Sequence, residues 1–285
     1  MKKLPWVGGV LSGFELVSRR PLAALSWAVA FALVATIMAA FQDWSLGRLP
    51  PEGGISEIAL KLSLMGLVLN LMVIITVCAA ILRAMVRPGE GRGAWPRLGG
   101  DELHLLAFLP LLVLPWAVIS IPVSLSLYKV LPDRGDLPMK LSMHFAMGVV
   151  MLAGARLILA APMTIAEQRL RLGGALGLSQ GLHVRLAVIF VSALVLSAVI
   201  EGAGTWVRDA VTSLASGAYA PPAPPEPGVS HTVLVEGSPL GIKATLSRIF
   251  GALVRAIAFA VQVAPLGYAF QRLTDDPADR AAVFD

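Results

Sequence analysis

Six long apolar stretches alternate with short polar connections along this chain. They run at about 21–43, 57–86, 103–128, 138–166, 184–208 and 244–271. Each exceeds the ~20 residues that an α-helix, rising ~1.5 Å per residue, needs to cross the hydrocarbon layer. The pattern predicts an all-α polytopic membrane protein: six transmembrane helices in one integral membrane domain over 1–285. Residues 1–20 form a cytoplasmic interfacial segment, 209–243 a Pro-rich outer loop and 272–285 a cytoplasmic tail. Lys2 and Lys3 imitate the basic start of a secretory signal. The apolar run from Pro21 is too long for one, and no small-x-small cleavage site precedes polar sequence, so an uncleaved first span is expected.

Three glycine pairs add a longer-range pattern. Trp6-Val7-Gly8-Gly9 precedes the first span, Arg97-Leu98-Gly99-Gly100 the third and Arg171-Leu172-Gly173-Gly174 the fifth. Each reads as a short cytoplasmic interfacial helix feeding an out-and-back hairpin, which implies a threefold hairpin repeat. The simpler reading is that glycine pairs turn the chain near the membrane surface. Gly173, Gly177 and Gly181 share one helical face and would allow close backbone approach. In the outer loop, 219–227 is expected to be extended polyproline, 231–235 a short strand, and Ser238 an N-cap before Pro239.

Composition agrees. Hydrophobic residues make up 56 % and charged residues 14 %, against ~25 % charged in a soluble domain. The net charge of +5 is spread among connections and is not gathered on a soluble domain, so nucleic acid is not an expected partner. With the amino terminus inside, the inner segments hold thirteen of the 23 Lys and Arg and the outer segments eight, which predicts both termini in the cytoplasm. Trp44, Tyr128 and Trp206 fall at predicted outer ends, where amphipathic rings favour the interface. The lone Cys78 excludes an internal disulfide.

Few residues could carry chemistry. Gly177-Leu178-Ser179-Gln180-Gly181 matches G-x-S-x-G, but no strand leads into it, as a nucleophile elbow requires. His104, His144, His183 and His231 are scattered, and no metal or cofactor is expected. No catalytic constellation emerges. What remains are polar groups inside the apolar spans, where a charge costs several kcal/mol unless it is paired or hydrated. Glu201 and Arg255 lie at matched depth, each seven residues from an outer marker, Arg208 and Arg248, and an ion pair between them is expected. Arg156 falls near the middle of the fourth span. Three readings are open for it: bonding carbonyls freed by Pro110, Pro115 and Pro122, pairing with an acid, or facing a cavity that holds an anionic head group. Asn70 and Gln262 read as interhelical contacts.

Two stretches carry a resemblance. One is Ala79-Ala80-Ile81-Leu82-Arg83-Ala84-Met85-Val86-Arg87-Pro88 with Arg97-Leu98-Gly99-Gly100-Asp101-Glu102-Leu103. The other is Arg156-Leu157-Ile158-Leu159-Ala160-Ala161-Pro162-Met163-Thr164 with Ala166-Glu167 and the 173–185 segment. They resemble a group of alphaproteobacterial six-helix inner-membrane proteins of unknown function, similar to the membrane domain of glycerophosphoryl diester phosphodiesterases and to the YciC-like family. The resemblance implies a bacterial inner-membrane location, a periplasmic Pro-rich loop, and a helical module associated with lipids or partner proteins. The phosphodiesterases carry their chemistry on a separate soluble barrel, for which this chain has no length, so no catalytic residue is transferred. The leading expectation is a non-enzymatic module that binds anionic lipid head groups, a partner membrane protein or a second copy. The alternatives are a small transporter or channel with a polar midplane site around Arg156, and an intramembrane enzyme acting on lipids.

Overall fold

The computed structural model describes residues 4–46, 57–89, 93–130, 137–169, 172–215 and 242–274. Among them the chain is helical, with no strand: α1 (Trp6–Arg19), α2 (Pro21–Leu46), α3 (Glu57–Val86), α4 (Gly100–Val130), α5 (Leu137–Gly154), α6 (Ala160–Glu167), α7 (Leu172–Leu178), α8 (His183–Ala215) and α9 (Ile242–Thr274). Four of these, α2, α3, α8 and α9, hold stretches long and apolar enough to cross a membrane. The α4–α5 hairpin contributes shorter apolar pieces, 114–130 and 141–154.

Helix ends overrun the apolar stretches because backbone hydrogen bonding does not stop where hydropathy does. α8 continues to Ala215, so the expected outer loop loses its first seven residues to helix, and α9 begins at Ile242 and ends at Thr274. The polyproline run, the strand at 231–235 and the Ser238 cap lie outside the described residues.

The expected fourth span does not run as one helix. α5 ends at Gly154, and 155–159 form a tight turn in which Ala160 N–H bonds Leu157 O (2.8 Å) and Ala161 N–H bonds Ile158 O (3.1 Å). Pro162 fits the break. It has no N–H to give to Ile158 O, and the first turn of a new helix accepts it. Gln168, in the left-handed region (φ 57°), then ends α6. At the other end of the chain, Pro21 separates α1 from α2. Arg20, just before it, is pushed out of helical geometry (φ −133°, ψ 60°), and Pro21 opens α2 with its φ already set.

α9 is the central post, touching α1, α2, α3, α6 and α8. Ala252, Ala256, Ala260 and Ala264 recur every four residues and are all buried, so neighbouring backbones come close, as membrane helix packing requires. The hairpins α2–α3, α4–α5 and α8–α9 each pack internally. The three glycine-pair segments take different forms, however. The first is the 14-residue α1, the second is non-helical at 93–99, and the third is the seven-residue α7. Gly173 and Gly177 have nothing within 4 Å of a built Cβ, so the expected close backbone approach does not occur there, and Gly181 (φ 73°) instead makes the turn into α8.

α1 is more than a surface float. Gly9, Val10, Ser12, Gly13 and Leu16 are buried, and a Cβ on Gly13 would lie 2.7 Å from both Ala260 O and Val261 N. α1 therefore lies directly on the α9 backbone. Trp6, Val7, Leu11 and Phe14 stay exposed, an apolar stripe on a helix whose other face is docked.

Candidate functional site

Where α1 crosses α9 and approaches the end of α3, the three helices leave a recess of about 510 Å³. Helical spacing builds it. Ser12, Glu15, Leu16 and Arg19 lie at i, i+3, i+4 and i+7 on α1, and Tyr268, Gln271 and Arg272 at i, i+3 and i+4 on α9. Arg20, at the α1–α2 junction, and Met85 and Pro88, at the end of α3, complete it.

The lining is basic. Arg19 pairs with Glu15 at 2.6 Å, on an exposed rim where the pair contributes little to stability. Arg20 Nη2 donates to Pro88 O (2.8 Å), tying the α1–α2 junction to the end of α3. Arg272 lies over the Tyr268 ring at 5.5 Å. Gln271 Nε2 donates to Met85 O. Among the described residues, neither Arg20 nor Arg272 pairs with a carboxylate. Three guanidiniums against one carboxylate, with a phenol and an amide at hand, can hold a phosphate or another multivalent oxyanion.

A second polar cluster closes the same end of the bundle. Arg83 is fully buried. Its Nη1 reaches Glu102 Oε1 (2.6 Å) and Asp101 Oδ2 (3.3 Å), its Nε donates to Gly93 O (3.0 Å) and its Nη2 to Trp95 O (3.4 Å). The two acids occupy the first turn of α4, where the helix dipole favours negative charge. Arg87 approaches Asp101 at 3.9 Å and donates to Ile165 O and Ala166 O, the carbonyl-rich end of α6. Buried Trp27 donates from Nε1 to Ala94 O (2.8 Å). The 93–101 segment is thus tied to α2 by Trp27, to α3 by Arg83 and, through Arg87 beside Asp101, to α6.

The residues singled out from sequence separate in space. Arg156 falls in the turn after α5. Its Nε donates to Ser179 Oγ (3.1 Å) and its Nη2 to Leu176 O (2.5 Å), so it binds a freed carbonyl, but one belonging to α7, not to the proline-bearing α4. Ser179, centre of the G-x-S-x-G match, is buried and donates to Ala175 O (2.8 Å) at the end of α7. Arg156→Ala should release α7. In a double-mutant cycle with Ser179→Ala, coupling of roughly 0.5–3 kcal/mol in unfolding free energy is expected, and additive single effects would refute the link.

Asn70 and Arg255 do meet: Arg255 Nη2 is 3.4 Å from Asn70 Oδ1, and its guanidinium lies 5.1 Å from the Phe31 ring centroid. The expected ion pair with Glu201 does not form, because Asn70 and Phe31 hold Arg255 on the far side of a shared recess. Gln262 is half-buried on α9 and lines neither recess. Among the described residues no cluster of His, Cys, Asp and Glu has the makings of a metal site.

Sequence reasoning missed the strongest polar features. Arg83 and Arg87 read as topology markers, and Arg19, Arg20 and Arg272 as scattered positive charge. One signal was available: an acid pair, Asp101-Glu102, following an arginine-flanked connection at the predicted membrane edge. No family model, curated protein or solved structure matches this chain.

Proposed function

We propose that this chain is a six-span module of a bacterial inner membrane, with both termini in the cytoplasm, that holds anionic phospholipid head groups in the recess between α1, α3 and α9. The observation that carries this reading is the convergence of Arg19, Arg20 and Arg272 on one cavity, two of them without a carboxylate partner among the described residues. Cationic side chains near a membrane surface attract anionic lipid by about 1 kcal/mol each. The apolar stripe of Trp6, Val7, Leu11 and Phe14 on α1 fits acyl chains beside that recess. The six-span topology, with α4 and α5 crossing as the third and fourth spans, rests on the packed α4–α5 hairpin and on the inner excess of basic residues. A transporter built around Arg156 is less favoured, because that guanidinium is committed to Leu176 and Ser179.

The test is lipid retention. The full chain is purified in discs of mixed phosphatidylglycerol and phosphatidylcholine, and bound lipid is counted by native mass spectrometry. Wild type should retain the anionic lipid, and Arg272→Gln, which keeps the Arg20–Pro88 bond, should reduce that retention roughly fivefold with an unchanged melting temperature. Equal retention by the two proteins would sink the proposal.

A further inference from the structure

The second recess, between α8 and α9, holds about 260 Å³ and is lined by Glu201, Gly204, Thr205, Arg208, Gly251, Val254 and Arg255. We propose that it takes a zwitterion bearing a primary ammonium and a phosphate, the head-group chemistry of an aminophospholipid, with the ammonium on Glu201 and the phosphate toward Arg255. This inference is independent of the anionic site at the other recess.

Glu201 carries the argument. It lies inside the apolar stretch 183–208, is exposed on the flank of α8, and among the described residues no side chain pairs with its carboxylate. A carboxylate at membrane depth is costly unless a cation or water meets it. Arg255 lines the same recess but does not meet it, because Asn70 and the Phe31 ring hold the guanidinium in place. Glu201 and Arg208 on α8 and Arg255 on α9 thus line one recess, two guanidiniums with one carboxylate. A simple cation would be repelled by Arg208 and Arg255, and a simple anion would leave the Glu201 carboxylate unmet. A ligand with both charges on a short linker satisfies both walls.

Two further features fit a lipid. Trp206, five residues beyond Glu201, is 74 % exposed, as an indole in the head-group layer would be. Gly251 has nothing within 4 Å of a built Cβ, so the space over it is open. The carboxylate can accept N–H bonds from a primary ammonium, whereas a quaternary ammonium offers none. Ethanolamine is therefore expected to be selected over choline.

The experiment uses the full chain in discs containing acyl-matched phosphatidylethanolamine, phosphatidylcholine and phosphatidylglycerol, with bound lipid counted by native mass spectrometry. Wild type should retain the ethanolamine lipid about tenfold over the choline lipid. Glu201→Gln and Gly251→Leu, one removing the charge and the other filling the space, should each abolish that preference while leaving phosphatidylglycerol retention at the first recess intact. Adding soluble glycerophosphoethanolamine identifies the source. Displacement means the head group alone suffices, persistence means the membrane lipid is the ligand, and both support the assigned chemistry. Equal retention of ethanolamine and choline lipids by wild type would overturn it, as would a preference that survives both variants. Loss of a dimer in Glu201→Gln with unchanged lipid selection would also overturn it, and would assign the carboxylate to a contact between copies.

Discussion

Arg83→Met is expected to destabilise the protein by about 3–5 kcal/mol, the largest effect of any single charge removal among the described residues. The guanidinium is fully buried and bonds two carboxylates and two carbonyls, while Asp101 and Glu102 are themselves 7 % and 5 % exposed. Removing the arginine strands two negative charges in an environment that cannot hydrate them. The cost is that of uncompensated burial and exceeds the worth of the ion pairs themselves. Neutralising the whole cluster separates these terms. Arg83→Met/Asp101→Asn/Glu102→Gln should recover much of the loss, since a buried ion pair replaced by neutral groups is often close to neutral overall. Arg87→Ala should cost less, because Arg87 is 20 % exposed and stands 3.9 Å from Asp101. Urea unfolding in micelles, followed by tryptophan fluorescence, reads this series: Trp27 bonds the 93–101 segment and Trp95 lies within it. An Arg83→Met protein within about 1 kcal/mol of wild type would show that the cluster does not close this end of the bundle.

Gly13→Leu is expected to undock α1 from α9 and to remove the anionic lipid site with it. Even a single methyl at Gly13 meets main-chain atoms of Ala260 and Val261, and backbone cannot swing aside as a long side chain can. Overpacking of this kind costs typically ~1–3 kcal/mol where the structure can give, and more where it cannot. Trimming the partner does not help. Val261→Gly leaves the obstructing Val261 N and Ala260 O in place, so the double variant should be no more stable than Gly13→Leu alone. Because Ser12, Glu15 and Arg19 line the recess from α1, phosphatidylglycerol retention should fall together with the melting temperature. Gly148→Ala is the contrast. Nothing lies within 4 Å of its built Cβ on α5, so relief of backbone entropy should leave stability unchanged or raised by about 0.5–1 kcal/mol. A Gly13→Leu protein that melts like wild type and keeps its anionic lipid would refute the docking of α1.

The candidate sites were legible to different degrees. Glu201, Arg255 and Asn70 stood out because each is a polar group inside an apolar run, and all three come to one region around α9. Their pairing was not legible, since matched depth says nothing about which way two helices are turned. Arg20 and Arg272 lie about 250 residues apart in the chain and meet across one recess only because α1 folds back over α9. The break after Gly154 was available locally in Gly154 and Pro162, but a continuous apolar run conceals a turn whose interior is also apolar.

The membrane character, the helical class and the approximate positions of the long helices were determined by sequence alone, because hydropathy acts on each segment separately and a helix in lipid must satisfy its own backbone. Tertiary structure decided the rest: the burial of Arg83 between Asp101 and Glu102, the seating of α1 on the α9 backbone, and the separation of Glu201 from Arg255. Those outcomes depend on how each helix is rotated and where it crosses its neighbours. Both are set by the fit of small residues such as Gly13, Ala260 and Gly204 against particular partners, and no single segment contains that information.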